Sequence, residues 1–273
     1  MKTIYFDCAM GAAGDMLTAA LLELTPDREA ALAKLNALGV PGVRFAAAKA
    51  VRSGIAGTQM TVTVDGEEEG EGSARDHGHC CKHGHDHEHE AHCRDHDHEH
   101  RRHAHHGMAD IEAIVNGLNT SENVRSQILE VYELIAAAES AVHGVPVTEI
   151  HFHEVGAFDA VADIAAVCTL MEELAPRRVI ASPVNVGGGH VHCAHGVMPV
   201  PAPATALLLR GVPMYGGHVS GELCTPTGAA LLKRFVSDFG AMPVMAVSAI
   251  GYGMGKKDFE AANCVRAFLG ESE

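Results

Sequence analysis

A chain of 273 residues that is 47% hydrophobic, with mean hydropathy +0.05, can bury a sizeable core as one large domain or two small ones. Its formal net charge is −15, with −7 in residues 65–107 and the rest spread over the chain. No basic patch exists to hold nucleic acid, and the absence of tryptophan at 4% aromatic content argues against base stacking. No run of about 18 apolar residues is present, so no membrane span is predicted.

The chain opens on an apolar strand over residues 4–8, with no signal-peptide pattern before it, which predicts a cytoplasmic protein. Eight cysteines in such a chain read as thiols, with Cys8, Cys168 and Cys264 as small buried hydrophobes. A glycine turn, Gly11-Ala12-Ala13-Gly14-Asp15, then leads into a helix over residues 16–24. Strand, glycine turn and helix can present backbone N–H groups to an anion, although the spacing is neither G-x-G-x-x-G nor a P-loop. The plain alternative is a tight turn with Asp15 as the helix N-cap. Asp7 and Asp15 bracket this turn.

A second helix over residues 27–38 ends at Gly39 and Pro41. Residues 43–51 and 55–65 alternate around Ser53-Gly54 as a β-hairpin, with Thr58, Met60, Val62 and Val64 on one face. Residues 66–107 then lose all apolar periodicity and read as a disordered insertion. The core of that insertion, residues 77–106, holds thirteen of the twenty histidines and three of the eight cysteines. Imidazole and thiolate suit borderline divalent metals, so His77, His79, His83, His85, His87, His89, His96, His98 and His100 are candidate ligands of a metal-collecting tract. Composition points to that class of metals as a whole.

Helices resume over residues 108–118 and 121–143. The second carries a stripe of Val124, Ile128, Val131, Leu134, Ile135 and Ala138, with Ser121 as its N-cap, and reads as scaffold. The block His151-Phe152-His153-Glu154-Val155-Gly156-Ala157-Phe158-Asp159-Ala160-Val161-Ala162-Asp163 carries the densest ordered chemistry. On a strand His151 and His153 point to one face. Gly156 breaks that strand, and Asp159 starts a helix through residue 173 with Asp163 one turn along. Two imidazoles and up to three carboxylates at one corner suit a divalent metal or proton transfer. The candidate catalytic residues are His153, Glu154, Asp163 and Asp15, and His151, His153 and Asp159 are candidate metal ligands.

A strand over residues 177–186 runs into Gly187-Gly188-Gly189, where the backbone can approach a ligand closely. His190, His192, Cys193 and His195 follow, as either a soft site or a polar loop. A helix spans residues 204–210. Glu222-Leu223-Cys224-Thr225-Pro226-Thr227-Gly228 enters another, where Thr225 and Thr227 offer hydroxyls or simply cap the helix. A strand over residues 244–250 precedes a glycine-rich turn, Gly251-Tyr252-Gly253-Met254-Gly255-Lys256-Lys257, able to contact a phosphate. A last strand covers residues 261–269. The alternation predicts an α/β or α+β fold with a mixed sheet. Residues 1–65 and 108–273 form one domain, or two lobes divided near residue 145.

Five blocks in order resemble the LarC nickel-insertion proteins. They are Phe6-Asp7 with Gly11–Met16, the block from His151 to Ile164, Pro199–Thr205, Glu222–Ala230, and Gly251–Gly255. The resemblance implies insertion of nickel into pyridinium-3,5-bisthiocarboxylic acid mononucleotide. That reaction depends on CTP with Mg2+ or Mn2+ and makes the nickel-pincer cofactor of lactate racemase. It also accounts for a histidine-rich insertion. Long family members continue with a C-terminal domain associated with CTP, so the resemblance places the CTP site outside this chain and makes that half a partner. A homo-oligomer is expected. Gly11, Gly14, Gly187, Gly188, Thr225 and Thr227 are candidates for holding the nucleotide substrate. The rival reading is a nickel storage or delivery protein without catalysis.

Overall fold

The computed structural model describes residues 1–68, 107–150, 152, 157–193 and 196–273. Strand β1 (Lys2–Asp7) is followed by helices α1 (Gly14–Leu24) and α2 (Arg28–Asn36). The hairpin β2 (Val43–Arg52) and β3 (Ile55–Val64) comes next, then the two-residue β4 (Glu67–Glu68). The chain resumes with α3 (Met108–Gly117), α4 (Glu122–His143), a 3-10 turn at Val147–Glu149, and α5 (Phe158–Leu174). Short strands follow: β5 (Arg178–Ala181), β6 (Val184–Asn185), β7 (Gly187–Gly188), β8 (His190–Cys193) and β9 (Gly196–Pro199). Then come α6 (Pro203–Leu208), β10 (Met214–Tyr215), β11 (Gly221–Glu222), α7 (Pro226–Phe235), β12 (Asp238–Phe239), β13 (Met245–Met254) and β14 (Cys264–Ser272).

The main sheet has the order β12-β5-β1-β14-β13-β3-β2, with β4 pairing on β3. β1 runs parallel to β5 and antiparallel to β14, β13 is antiparallel to β14, and β3 is parallel to β13. Five strands, β12, β5, β1, β13 and β3, therefore share one direction, and their carboxyl ends lie on one edge. This is the mixed sheet with helices that the alternation predicts. One cluster of buried side chains runs from Ile4 to Ala267 and draws on residues both before and after position 145.

Helix α1 positions that edge. It lies across β13, β3 and β14 and against α5. Leu17, Leu21, Leu22 and Leu24 are buried, each stabilising by about 2 kcal/mol. Gly251 and Gly253, read from sequence as the start of a loop, are strand residues of β13. A Cβ on Gly251 would lie 2.1 Å from the Ala20 carbonyl oxygen, and one on Gly253 1.8 Å from that of Met16. Glycine is used here because a helix backbone rests on the strand. The carboxylate of Glu23 pins the same contact, accepting from the Thr58 hydroxyl at 2.6 Å and the Tyr252 N–H at 3.0 Å.

Other elements follow sequence chemistry. Asp27 caps α2 by accepting from the Ala30 N–H, and Ser121 caps α4 by accepting from the Val124 N–H. Thr58, Met60 and Val62 of β3 are buried on the helix side. The stripe on α4 differs in one respect: Tyr132 is fully buried within it, whereas Leu134 is only partly buried. β5 stops at Ala181 because Pro183 has no N–H for a ladder, and the Ser182 hydroxyl instead accepts from the Cys8 N–H at 2.9 Å.

Candidate active site

In open α/β sheets ligands bind beyond the carboxyl ends of the strands. Here that edge gathers the Cys8–Gly11 turn after β1, Ser182 after β5, the Gly255–Lys256 turn after β13, and β4 after β3. The amino ends of α1 and α5 face it.

Three aspartates meet there. Helix α1 begins at Gly14 with Ala13 as the N-cap, so Asp15 sits in the first turn and is not the cap. Its Oδ1 accepts from the Met16 N–H at 2.8 Å. The reason is Asp163 on α5, whose carboxylate accepts from the Asp15 backbone N–H and takes the place of a cap. A Cβ on Gly14 would fall 2.6 Å from Asp163 Oδ2, so this approach requires glycine. Asp159 lies one turn before Asp163 on α5, and its Oδ1 accepts from the Ala160 N–H at 2.7 Å.

Asp163 is half-buried, with its Oδ1 shielded from solvent. Burial first, then the neighbouring charges of Asp15 and Asp159, push its carboxyl well above the usual range, against the opposing pull of Lys256 and the Asp15 N–H. Its Oδ1 has no hydrogen-bond partner among the described residues. Such an atom is costly unless a ligand or reaction uses it. Tyr132 from α4 is also near, its phenol held protonated by burial and by the charges of Asp159 and Asp163. Its ring packs edge-on to Phe152, with centroids 5.6 Å apart. Lys256 closes the corner from β13 and bonds Glu68 at 2.8 Å.

The loop layer beside this corner is tightly interlocked. Gly11 has φ +78°, donates its N–H to the Cys8 carbonyl, and leaves no room for a Cβ, which would lie 1.9 Å from the Leu223 oxygen. Ala12 donates to Leu223, and Thr225 donates to Ala12. A Cβ on Gly187 would lie 2.0 Å from the Gly221 oxygen, and its N–H donates to Asn185 Oδ1. Gly188 pairs with Gly221. Thr225 caps α7 by accepting from the Gly228 N–H at 3.2 Å, and Thr227 is buried one position past the N1 proline. The approaches these glycines permit are made by other backbone segments. The residues at the amino end of α1 do not fit a nucleoside triphosphate, because the Asp163 carboxylate already faces that terminus.

His77, His79, His83, His85, His87, His89, His96, His98, His100, His151, His153, Glu154 and His195 lie outside the described residues, as does the insertion predicted to be disordered. The described residues that flank them bear on the corner. Glu68, at one end of 69–106, bonds Lys256. Gly107, at the other end, lies by the Ile150 carbonyl, next in chain to His151. Among the described residues no three His, Cys, Asp or Glu side chains group closely enough to hold a metal ion. A coordination sphere here therefore needs donors beyond Asp15, Asp159 and Asp163. His190 and His192 are exposed on β8, away from the core.

Sequence reasoning missed Tyr132, Glu68 and the direction of Lys256. For Tyr132 the available signal was a phenol inside an apolar helix stripe. Lys256 was read as a phosphate contact, but its partners are carboxylates. No helix among the described residues is long and apolar enough to cross a membrane.

A family model described as nickel insertion protein matches residues 4–273. The chain is 35% identical over 271 residues to a putative nickel insertion protein of Dictyoglomus thermophilum, covering 99% of this chain and 61% of that one. It is 37% identical to the pyridinium-3,5-bisthiocarboxylic acid mononucleotide nickel insertion protein of Geobacillus kaustophilus, covering 99% and 60%. Its identity to the protein of the same name from Clostridium kluyveri is 38%, covering 100% and 63%. The chain thus spans about three fifths of the length of these relatives. No solved structure matches it. A match over nearly the whole sequence establishes that this chain belongs to the nickel insertion protein family.

Proposed function

We propose that this chain carries the metal-insertion site of its family and places Ni2+ into pyridinium-3,5-bisthiocarboxylic acid mononucleotide, the step that completes the lactate racemase cofactor. Nickel is a substrate in this reaction. It gains one bond to a pyridinium ring carbon and two to the thiocarboxylate sulfurs, and the ring carbon gives up its proton. The observation that carries the proposal is the buried Asp163 oxygen left without a partner among the described residues, in a corner shared with Asp15 and Asp159.

Burial and the neighbouring carboxylates push the Asp163 carboxyl up, which makes its carboxylate a stronger base, so Asp163 is the acceptor for the ring proton. Asp15 holds it in position through its backbone N–H. Asp159, His151 and His153 hold the incoming nickel, and Glu154 and His153 relay the proton outward. The protonated Tyr132 phenol supplies a hydrogen-bond donor. Gly187, Gly188, Thr225 and Thr227 form the layer along which the nucleotide lies. Gly11 and Gly14 act indirectly, by setting the turn that carries Asp15. CTP is bound by a part of the family that this chain does not span, in a separate chain or a longer form.

The histidine-rich tract supports a second reading, nickel storage and delivery without catalysis. Incubating the protein with precursor, Ni2+, CTP and Mg2+, beside a full-length relative, separates the two by mass. The nickel product must form and must vanish with Asp163→Asn while bound nickel persists. If Asp163→Asn converts precursor like the parent, the insertion site is not here.

A further inference from the structure

We propose that Arg266 is a phosphate receptor at the carboxyl edge of the sheet: the free edge of its guanidinium, with the Tyr252 hydroxyl beside it, takes the phosphate of the mononucleotide. This rests on the mononucleotide being the substrate of the insertion reaction.

The first observation is a row of three side chains across the sheet. Asp7 of β1 pairs directly with Arg266 of β14, and Arg266 pairs directly with Tyr252 of β13. Directly opposed residues of antiparallel strands share a face. It is the face away from α1, because Gly251 and Gly253, on either side of Tyr252, lie against that helix. Asp7 is the last residue of β1, before the Cys8–Gly11 turn, so the row stands on the ligand edge of the sheet. Of the two carboxylates that bracket the turn, Asp15 serves the carboxylate corner and Asp7 serves Arg266.

The second observation is that the guanidinium is fixed with one edge unused. Its Nε donates to Asp7 Oδ2 at 2.9 Å, and its Nη2 donates to the same oxygen. Asp7 is itself held, its Oδ1 accepting from the Ala9 N–H at 3.1 Å. The guanidinium carbon lies 5.4 Å from the centre of the Phe268 ring. Carboxylate and ring thus occupy one edge and one face. The edge formed by Nη1 and the second Nη2 hydrogen has no partner among the described residues, and the side chain is 44% exposed. Two parallel N–H groups on a rigid fork match two oxygens of a phosphate. The third observation is Tyr252, partly exposed on the next strand, whose hydroxyl also lacks a partner among the described residues. Holding an exposed arginine in this way orders its long side chain before a ligand arrives, which is what a receptor needs.

Calorimetric titration of the whole chain, stripped of metal with a chelator, tests this. The probes are nicotinamide mononucleotide, a pyridinium mononucleotide without thiocarboxylates, nicotinamide riboside, which lacks only the phosphate, and CTP. The parent is expected to hold the mononucleotide about tenfold more tightly than the riboside. Arg266→Gln should abolish that difference and leave the riboside unchanged, and Arg266→Lys should keep only part of it. Tyr252→Phe should weaken the mononucleotide about threefold and the riboside not at all. A merely structural role would weaken both ligands together. Equal binding of mononucleotide and riboside by the parent, or a phosphate gain that survives Arg266→Gln, overturns the receptor. If the Arg266-dependent gain belongs to CTP alone, the edge serves a nucleoside triphosphate and the mononucleotide assignment is overturned. The insertion reading falls separately: should Asp163→Asn still convert precursor while Arg266→Gln loses the phosphate gain, the receptor stands and the insertion site does not.

Discussion

Around Gly11, Gly187 and Gly228 every close approach is filled by the protein's own backbone, with hypothetical Cβ positions 1.9, 2.0 and 2.1 Å from carbonyl oxygens of neighbouring loops. Beside them, on the same sheet edge, Asp163 keeps a fully buried oxygen with no partner among the described residues. The first region is satisfied and the second is not. Glycine density at a loop marks where chains must touch, which is a matter of packing. An unsatisfied buried carboxylate marks a group that the fold holds at a cost, as functional sites do.

Substitutions in the two regions should therefore fail in different ways. The largest expected effect is Asp163→Asn. Conversion of precursor should drop about a thousandfold, in the range of a lost general base, while the thermal midpoint stays level or rises because a buried charge is gone. A fall in both would place Asp163 with the scaffold. Next is Gly11→Ala, which combines a positive φ with a backbone clash. It should cost about 3 kcal/mol and lower the midpoint by roughly 10 °C, while folded molecules keep their activity. Tyr132→Phe should cost about 1 kcal/mol and slow conversion about tenfold, measured by the same mass assay. The smallest effect concerns the thiols. Burial pushes Cys224 up to about 12 and raises Cys8 as well, so a short iodoacetamide pulse should label Cys193 well before either.

Much of the scaffold could be read from the chain. The hairpin, the Asp27 and Ser121 caps, the Pro226 helix entry and the stripe of α4 all depend on neighbours in sequence. What escaped depends on neighbours in space. Gly251 and Gly253 look like a loop because nothing local reports that α1 lies across them. Asp15 looks like a cap until Asp163, far along the chain, is seen to occupy that role. The acidic character of the corner was legible in Asp15, Asp159 and Asp163. Its buried phenol and its lysine were not, because Tyr132 reads as core and Lys256 as a phosphate ligand when their partners are unknown.

The central claim is that the chemistry belongs to the Asp15–Asp159–Asp163 corner, and that residues 76–106 serve supply. Deleting residues 76–106 and measuring conversion of precursor by mass under excess Ni2+ addresses it directly. Turnover close to that of the intact chain is expected once nickel is saturating, with the difference confined to low nickel. Loss of turnover at every nickel concentration, in a protein that still unfolds cooperatively, would contradict it.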